Sequence, residues 1–396
     1  MELAPDYSTA PQSPSALEHL VDRYRDFPDY RVDNDNKKHL LVDILVSAIC
    51  AVLGNANSWL AVERFCCCHE TWLRTFLELA NGIPSHDTYR QVFLSLDPAE
   101  MNRRFGIWMR DISQNLKLKQ VAIDGKTLCG SGGGRTGLRA LHMVHAFAID
   151  NGICLAQQAV DTKSNEITAI PELLKLLDLK GALVTIDAMG CQKEIAADIV
   201  TREGDYLLTV KGNQERLHED AIDTMAAVID GPCQPGTQNC AQTEEMNRGR
   251  REKRTSYITT DLSRIRDKKL WKGLRAIGVI ISEREVDGKC EVETRYFITS
   301  RVLSASMLLQ GVRNHWKVEN QLHWVLDVVF GEDGHQLRVG NGPANFTTLR
   351  KLALAIIKNC KSKHGIKGAR EMSGWNTDFL EQIIHQAAVL PEITSA

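Results

Sequence analysis

Two aspartates lie at the ends of segments that are predicted to be β-strands. Asp124 ends the apolar run VAID and is followed by a glycine, and Asp187 ends the run LVTID and is followed by an alanine. Ligand sites in α/β proteins form at the ends of strands, where the loops open to solvent. We therefore expect both carboxylates at one edge of the same sheet, although either aspartate alone could simply cap the turn that follows it.

A third carboxylate, Glu319, lies between Val318 and Leu322 in a segment that is predicted to be helical. If this helix packs across the sheet edge, the three carboxylates converge, and like charges at such distances require protonation or bound cations. Two Mg²⁺ or Mn²⁺ ions are the cations expected, because such a pair suits in-line attack on a phosphodiester. Asp327, two turns further along and on an adjacent face, is the alternative third acid.

The elements that would position these acids follow the order βββαβαβα. Three short strands come first, and the second and third are joined by Asn151-Gly152, a strong hairpin signal. Helical and stranded patterns then alternate through residue 230. This order predicts an α+β or α/β domain with a mixed sheet and helices on both faces.

The regions on either side of this domain differ in pattern. The sequence is proline- and serine-rich at the start, helical up to the first strand, stranded again after residue 231, and then predicts one long helix over MLLQGVRNHWKVENQLHWVLDVVF. We predict a loose N-terminal arm (1–30), an all-α domain (31–117), the first part of the catalytic domain (118–230), a β-rich insertion (231–302), the C-terminal helices of the catalytic domain (303–362) and a tail (363–396).

Composition excludes several classes of protein. The 48 basic and 50 acidic residues give a net charge of −2, so any site for nucleic acid must be local. The longest apolar segment, residues 40–53, contains an aspartate and is shorter than the roughly 20 residues that cross a bilayer, and no signal peptide is evident. We expect a cytoplasmic protein with no membrane partner. Eleven cysteines without a CxxC pair disfavour both a disulfide framework and a zinc site.

The chain carries five ordered segments over roughly residues 30 to 360: AIDGKTL, KSNEITAIPELL, TIDAMGCQKEIA, YLLTVKGNQ and RNHWKVENQLHWVLDVVFGED. Together they resemble the H-repeat-associated transposases, a bacterial insertion-sequence family of the DDE class. The resemblance implies a ribonuclease-H-like catalytic domain, preceded by a helical associated domain. It also implies two divalent ions bound by two aspartates and a glutamate.

Asp124, Asp187 and Glu319 are the metal-binding triad that the resemblance implies. The W-x-(I/V)-E-N pattern of related transposases matches Trp316 to Asn320, which makes Glu319 the preferred third acid. The implied function is that of a DNA transposase, which cleaves strands at the ends of the element and transfers them to target DNA. Its expected partner is double-stranded DNA, bound by a homo-oligomer.

Some positions depart from the patterns of related transposases. Val312, His315 and Leu326 stand where the Y-R-E-K signature has Tyr, Arg and Lys, and Cys129 stands where the family usually carries a basic residue. These departures leave open a catalytically silent DNA-binding relic. A structure-selective nuclease on the same fold is the other alternative.

Candidates for DNA contact come from three kinds of segment. The turn KGNQ follows a strand and opens a helix, where it could hold a phosphate or simply cap the helix. The run between residues 248 and 254 is the densest basic segment, and the glycine-rich segment 130–135 favours a flexible hairpin over a phosphate cradle. The candidates are Lys126, Arg135, Lys211, Asn213, Gln214, Arg248, Arg250, Arg251, Arg313 and His315.

Two His-Trp pairs recur at a spacing of eight residues in the predicted long helix. We expect Trp316 and Trp324 to lie in the core, because large aromatic side chains are mostly buried. His315 or His323 could assist phosphate or metal chemistry.

Overall fold

The computed structural model describes residues 16–33, 37–113, 118–133, 139–160, 165–231, 239–247, 249–335, 337–360 and 362–388. The helices are α1 (Ala16–Arg25), α2 (Leu41–Leu53), α3 (Trp59–Cys68), α4 (Glu70–Leu73), α5 (His86–Ser95), α6 (Pro98–Ser113), α7 (Glu166–Leu174), α8 (Lys193–Thr201), α9 (Glu215–Ile229), α10 (Ala305–His315), α11 (Trp324–Val328), α12 (Gly342–Asn359), α13 (Ile366–Trp375) and α14 (Thr377–Ala388). The strands are β1 (Gln120–Thr127), β2 (His142–Ala148), β3 (Ile153–Ala159), β4 (Leu183–Ile186), β5 (Asp205–Val210), β6 (Cys240–Asn247), β7 (Arg250–Thr259), β8 (Ala276–Val286) and β9 (Lys289–Thr299).

Within the described residues the strands form one nine-stranded sheet in the order β3-β2-β1-β4-β5-β9-β8-β7-β6. β4 is parallel to both β1 and β5, and the remaining neighbours are antiparallel. The predicted order βββαβαβα is confirmed, and the fold is mixed α+β with a large mixed sheet. The predicted hairpin also forms, and Gly152 adopts the left-handed conformation (φ 67°) in its turn.

The predicted β-rich insertion continues this same sheet. β9 pairs antiparallel with β5, and β8, β7 and β6 follow outward from it. The halves of β8 and β9 that lie nearest their connecting turn are exposed to solvent. The insertion is therefore an extension of the sheet rather than a separate layer.

Helices cover both faces of this extended sheet. On one face Leu308 of α10 packs so closely that a Cβ atom at Gly278 would lie 2.4 Å from its Cδ2 atom. Successive side chains of a strand point to opposite faces, so Ile277 and Val279 point away from α10. Both are nevertheless fully buried, and α9 packs against β8.

Polar contacts fasten the C-terminal end of α10 to β1 and β4. The buried Gln120 donates from Nε2 to the Gly311 carbonyl oxygen (2.7 Å) and accepts from Asn314 Nδ2 (3.2 Å). Thr185 Oγ1 lies 3.1 Å from His315 Nδ1. These contacts fix where the chain leaves α10, four residues before Glu319.

The described residues divide into two units. The sheet unit comprises those within 113–328 and 332–338, and it holds β1–β9 and α7–α11. The helical unit comprises those within 1–112, 329–331 and 339–396, and its described part contains helices but no strand. No helix in the described residues is both long and apolar enough to span a lipid bilayer.

The helical unit combines both ends of the chain. α1 lies in the segment predicted to be a loose arm, and α12, α13 and α14 come from the segments assigned to the catalytic helices and the tail. α12 packs against α2 and α5, and α1 packs against α2 and α14. The buried Arg370 of α13 donates to the Val52 carbonyl oxygen and to Asn57 Oδ1, both at 2.9 Å, and its guanidinium lies 3.9 Å from the centroid of the Phe330 ring.

Candidate active site

The two strand-end aspartates are neighbours across a parallel pair of strands. Ile123 of β1 is the register partner of Ile186 of β4, so the next residues along, Asp124 and Asp187, come side by side at the carboxyl end of the pair. Asp187 also accepts hydrogen bonds from the backbone N–H groups of Met189 (3.0 Å) and Gly190 (3.4 Å), as a turn-capping aspartate does. Capping a turn and facing Asp124 are thus compatible roles for one side chain.

The electrostatics of this edge favour protonation or a bound cation. Burial raises the pKa of Asp124 to about 7, and the negative charges of Asp187, Glu166 and Glu319 contribute to the rise. Burial also raises the pKa of Asp187, as does the charge of Glu166, whereas Lys211 opposes the rise. Several carboxylates therefore share one partly buried region, and the pKa of Asp187 is raised in spite of the positive charge of Lys211.

Glu319 begins a π-helical turn, Glu319–His323, in which the Trp324 N–H donates to the Glu319 carbonyl oxygen. The prediction of one continuous long helix is wrong here, because α10 ends at His315 and the wide turn separates it from α11. Such turns are frequent at functional sites. One oxygen each of Asp124 and Glu319 and one ring nitrogen of His323 all lie within 4.8 Å of one another. The structure thus brings Glu319 to Asp124, as predicted.

Glu166 is a fourth acid at this edge, and sequence reasoning assigned it no role. It occupies the first position of α7, after the N-cap residue Asn165, and its Oε1 atom lies 2.6 Å from His142 Nε2. A Cβ atom at Gly125 would lie 2.0 Å from that same oxygen. The glycine that follows Asp124 therefore leaves space for Glu166. The segment SNE, with its cap residue before an acid, was the available signal.

Lys126 lies two residues after Asp124 and is buried in a group of carboxylates. Its Nζ atom lies 2.6 Å from Asp327, 3.1 Å from Asp333 and 3.6 Å from Glu332. Burial alone would lower the pKa of Lys126, but these carboxylates outweigh burial and raise it. Lys126, which was a candidate for DNA contact, is thus an internal cation. Asp327, the alternative third acid, is one of its partners.

The KGNQ turn lies beside the loop that follows Asp187. Asn213 Nδ2 donates to the Ala188 carbonyl oxygen (2.7 Å), and Gln214 Nε2 donates to the Cys191 carbonyl oxygen (3.0 Å). Lys211 is exposed, and its charge acts on Asp187. The amide side chains thus brace the loop, and Lys211 supplies an exposed positive charge next to the aspartates.

The basic run in β7 is paired with glutamates of β6 and of β7 itself. Arg251 Nε lies 2.7 Å from Glu244 Oε1, and Arg250 pairs with Glu252 at 3.0 Å. Arg313 of α10 pairs with Glu245 of β6. These three guanidinium groups are therefore matched by acids within the protein. The candidates Arg135 and Arg248 lie outside the described residues.

A cavity beside the two aspartates is lined in part by Lys211, Arg295, His315 and Trp316. Burial lowers the pKa of His315 to about 4, so its imidazole is neutral at pH 7. The prediction that Trp316 and Trp324 lie in the core is wrong, since they are 51% and 54% exposed. The Arg295 guanidinium lies 5.3 Å from the centre of the Trp316 ring, which gives the cavity an aromatic and cationic rim.

Comparison with known protein families agrees with this architecture. The family model described as "Transposase DDE domain" matches residues 115–356, and the one described as "DDE_Tnp_1-associated" matches residues 21–109. The chain belongs to the DDE transposase family. The resemblance that the five sequence segments indicated is thereby confirmed.

Relatives of this DDE transposase are similar over almost their whole length. "Putative transposase YncI" of Escherichia coli O157:H7 is 37% identical over 95% of this chain and 96% of the relative. "H repeat-associated putative transposase YhhI" of Escherichia coli (strain K12) is 36% identical over 93% of this chain and 98% of the relative. The solved structure of a piggyBac transposase synaptic complex with hairpin DNA aligns with a TM-score of 0.43 and 10% identity, and covers 96% of this chain and 78% of that one.

The raised pKa of Asp124 predicts a pH-dependent stability of this DDE transposase in EDTA. Because the pKa is about 7 in the folded protein and 3.8 ordinarily, this group stabilises the folded state below pH 4, and that contribution is lost as the pH rises through 7. Asp124→Asn removes the ionisation. We expect it to be more stable than the wild type at pH 8, by up to about 4 kcal/mol, and to lose that advantage at pH 4.

Urea unfolding at several pH values measures this difference. Asp178→Asn, at an exposed loop position, controls for the loss of one carboxylate. A stability difference between Asp124→Asn and the wild type that does not vary with pH would contradict the assigned cause.

The burial of Lys126 predicts a large cost for its removal. Lys126→Met keeps most of the apolar part of the side chain but removes the ammonium that Asp327, Glu332 and Asp333 surround. We expect the free energy of unfolding to fall by about 2 to 4 kcal/mol, because breaking a buried ion pair leaves uncompensated charge. Urea denaturation near pH 7 is the measurement.

Lys175→Met is the matched control, since Lys175 forms an exposed pair with Glu172. That change should alter the free energy of unfolding by no more than about 0.5 kcal/mol. Equal effects of the two substitutions would show that the Lys126 cluster does not stabilise the fold.

Proposed function

We propose that this protein is the DNA transposase of a bacterial insertion sequence and uses divalent metal ions to cut and join DNA strands at the ends of its element. The observation that carries the proposal is the meeting of Asp124, Asp187 and Glu319 at one sheet edge. The first two come from adjacent parallel strands, and the third comes from a turn that brings it to Asp124. Family membership supplies the reaction class.

The donor set suits Mg²⁺ or Mn²⁺. Carboxylate oxygens are the protein ligands these ions prefer. Burial, and after it the charge of neighbouring acids, raises the pKa of both aspartates, and a bound cation would compensate that charge. When bound, a pair of such ions activates the attacking hydroxyl and stabilises the leaving oxygen of a phosphodiester. The protein holds the carboxylates in place for both steps, strand cleavage and strand transfer.

Glu319 is the third acid in this proposal. Its side chain is 58% exposed, so it can accept a ligand from solvent, and one of its oxygens is close to Asp124. Asp327 instead contacts the Lys126 ammonium at 2.6 Å. An acid that already neutralises an internal cation is poorly suited to bind a second one.

The proposal includes a ribonuclease-H-like catalytic domain. A three-stranded antiparallel segment, β1–β3, followed by the parallel strands β4 and β5 in the same sheet supports that assignment. Double-stranded DNA, from the element ends and the target, is the proposed partner. A homo-oligomer that holds two ends is part of the proposal, since both must be joined to one target.

Among the candidates for DNA contact, exposure and pairing favour Lys211. Its exposed ammonium lies beside the aspartates, where it can hold a phosphate, while Asn213 and Gln214 keep its turn against the Asp187 loop. The guanidinium groups of Arg250, Arg251 and Arg313 would first have to leave their glutamates. The burial of Lys126 and the neutral state of His315 argue for structural roles at those two positions.

Cleavage and joining of a labelled duplex that carries the element's own ends test the triad. In Mg²⁺ or Mn²⁺ we expect Asp124→Asn, Asp187→Asn and Glu319→Gln each to lower the cleavage rate at least about 100-fold, because each removes a carboxylate that would hold the ions needed to stabilise the transition state. Asp327→Asn, with its melting temperature measured in parallel, should stay within about tenfold of the wild type.

Other outcomes identify the alternatives. Glu319→Gln at the wild-type rate together with an inactive, folded Asp327→Asn would assign the third acid to Asp327. Binding without cleavage by the wild type would indicate the silent relic. Cleavage without joining would indicate a structure-selective nuclease.

Lys211 is expected to contribute to DNA affinity through one phosphate. In EDTA, Lys211→Ala should weaken binding of the end duplex several-fold and reduce the slope of log K against log salt by about one. Arg251→Ala is the matched control, because its guanidinium is already paired with Glu244. Titrations by fluorescence anisotropy over 50–300 mM salt, a range on the order of cellular ionic strength, measure both. An equal loss of DNA affinity in the two variants would contradict the proposed phosphate contact of Lys211.

A further inference from the structure

A histidine side chain lies between two of the proposed metal-binding carboxylates. His323, the last residue of the π-helical turn, is 3% exposed. Its Nδ1 atom is 3.0 Å from Glu319 Oε2 and 3.6 Å from Asp124 Oδ2. The two oxygens and this nitrogen lie within 4.8 Å of one another, so a single ion could contact all three. The Asp124–Glu319 side of the site is therefore not made of oxygen donors alone.

A second histidine, His145, contacts the other ring nitrogen of His323, Nε2. His145 of β2 is the register partner of Asp124 and is fully buried. Its Nδ1 atom lies 3.4 Å from His323 Nε2, and the two rings meet edge to face with centroids 5.3 Å apart. Metal-binding histidines commonly use their other ring nitrogen for such an outer contact, which fixes the orientation of the ring. His323 thus directs Nδ1 at the carboxylates from a fixed position.

The π-helical turn carries both potential ligands. Glu319 and His323 begin and end it, four residues apart, and side chains at this spacing are neighbours on a helical surface. Both lie close to Asp124 of β1. A turn of this kind has a cost in helix geometry, and its occurrence here agrees with a role in positioning ligands.

We propose that His323 binds, through Nδ1, the divalent ion that Asp124 and Glu319 bind. The inference rests on the proposed metal-dependent function and specifies its metal site. The ion would then have two carboxylates and one imidazole as protein ligands, whereas Asp187 follows β4, which neighbours β1 on the side away from β2. Because Mg²⁺ prefers oxygen ligands and imidazole suits transition metals, His323 raises the affinity for a transition metal relative to Mg²⁺.

A purely structural role makes a different prediction. In that case His323 Nδ1–H donates a hydrogen bond to Glu319 and orients its carboxylate, with no bond to the metal. Removing His323 would then lower the affinity for all divalent metal ions by a similar factor. A nitrogen atom bonded to the ion and a change in metal preference separate the two roles.

Pulsed electron paramagnetic resonance of Mn²⁺ added alone to the full-length chain is the test. The wild type should show the coupling of a directly bonded ¹⁴N nucleus, and labelling the histidines with ¹⁵N should replace it with the ¹⁵N coupling. His323→Gln should abolish the coupling and weaken Mn²⁺ binding about 10- to 100-fold, with a smaller loss for Mg²⁺ measured by competition. His218→Gln, at a ring packed on Tyr296, should change neither.

The outcomes distinguish this inference from the proposed function. Mn²⁺ binding that Asp124→Asn abolishes but that shows no ¹⁴N coupling would overturn the histidine ligand and leave the carboxylate site standing. Mn²⁺ binding that does not depend on Asp124 would overturn both. The ¹⁴N coupling itself is measured on the wild-type chain, and the melting temperatures of Asp124→Asn and His323→Gln check that both variants are folded.

Discussion

Repulsion between carboxylates at the ends of β1 and β4 is the constraint around which the sheet unit is organised. The parallel register makes Asp124 and Asp187 neighbours, and Glu166 and Glu319 approach from two helical segments. A fold that places so many acids together needs rigid supports for each of them. Two such supports are visible. The hydrogen bonds of Gln120 hold α10, which precedes Glu319, and the N-cap residue Asn165 holds the start of α7, where Glu166 lies.

Two groups of acids near β1 are neutralised in different ways. The group formed by Asp327, Glu332 and Asp333 surrounds the ammonium of Lys126, so its charge is compensated inside the protein. Asp124, two residues earlier in the same strand, has a pKa raised first by burial and then by neighbouring carboxylates. The same strand thus carries one group of acids that an internal ammonium neutralises and one that the proposed function assigns to an exchangeable metal ion.

The sequence predicted the parts of the site that depend on local pattern. Strand ends, the Asn151-Gly152 hairpin and the order of elements all follow from hydrophobic periodicity and turn residues, so Asp124 and Asp187 could be found. The π-helical turn could not, because hydrophobic periodicity does not distinguish it from an α-helix, and its last residue, His323, contacts residues far away in the chain. The burial of Lys126 likewise depends on acids about 200 residues later. Trp316 was predicted to be buried because helical periodicity does not show which face of a helix remains exposed to solvent.

The helical unit has a consequence for the order in which the protein can fold during its synthesis. Domains generally fold as units, and N-terminal ones usually fold first as the chain emerges. Here Arg370 supplies the guanidinium that binds the Val52 carbonyl oxygen and Asn57, so these two residues lack this partner until a residue more than 300 positions later has been translated. In the amino-acid sequence, almost all residues of the sheet unit come after the first segment of the helical unit and before its last one. The carboxylate site can therefore assemble on the ribosome before Val52 and Asn57 acquire their contact with Arg370.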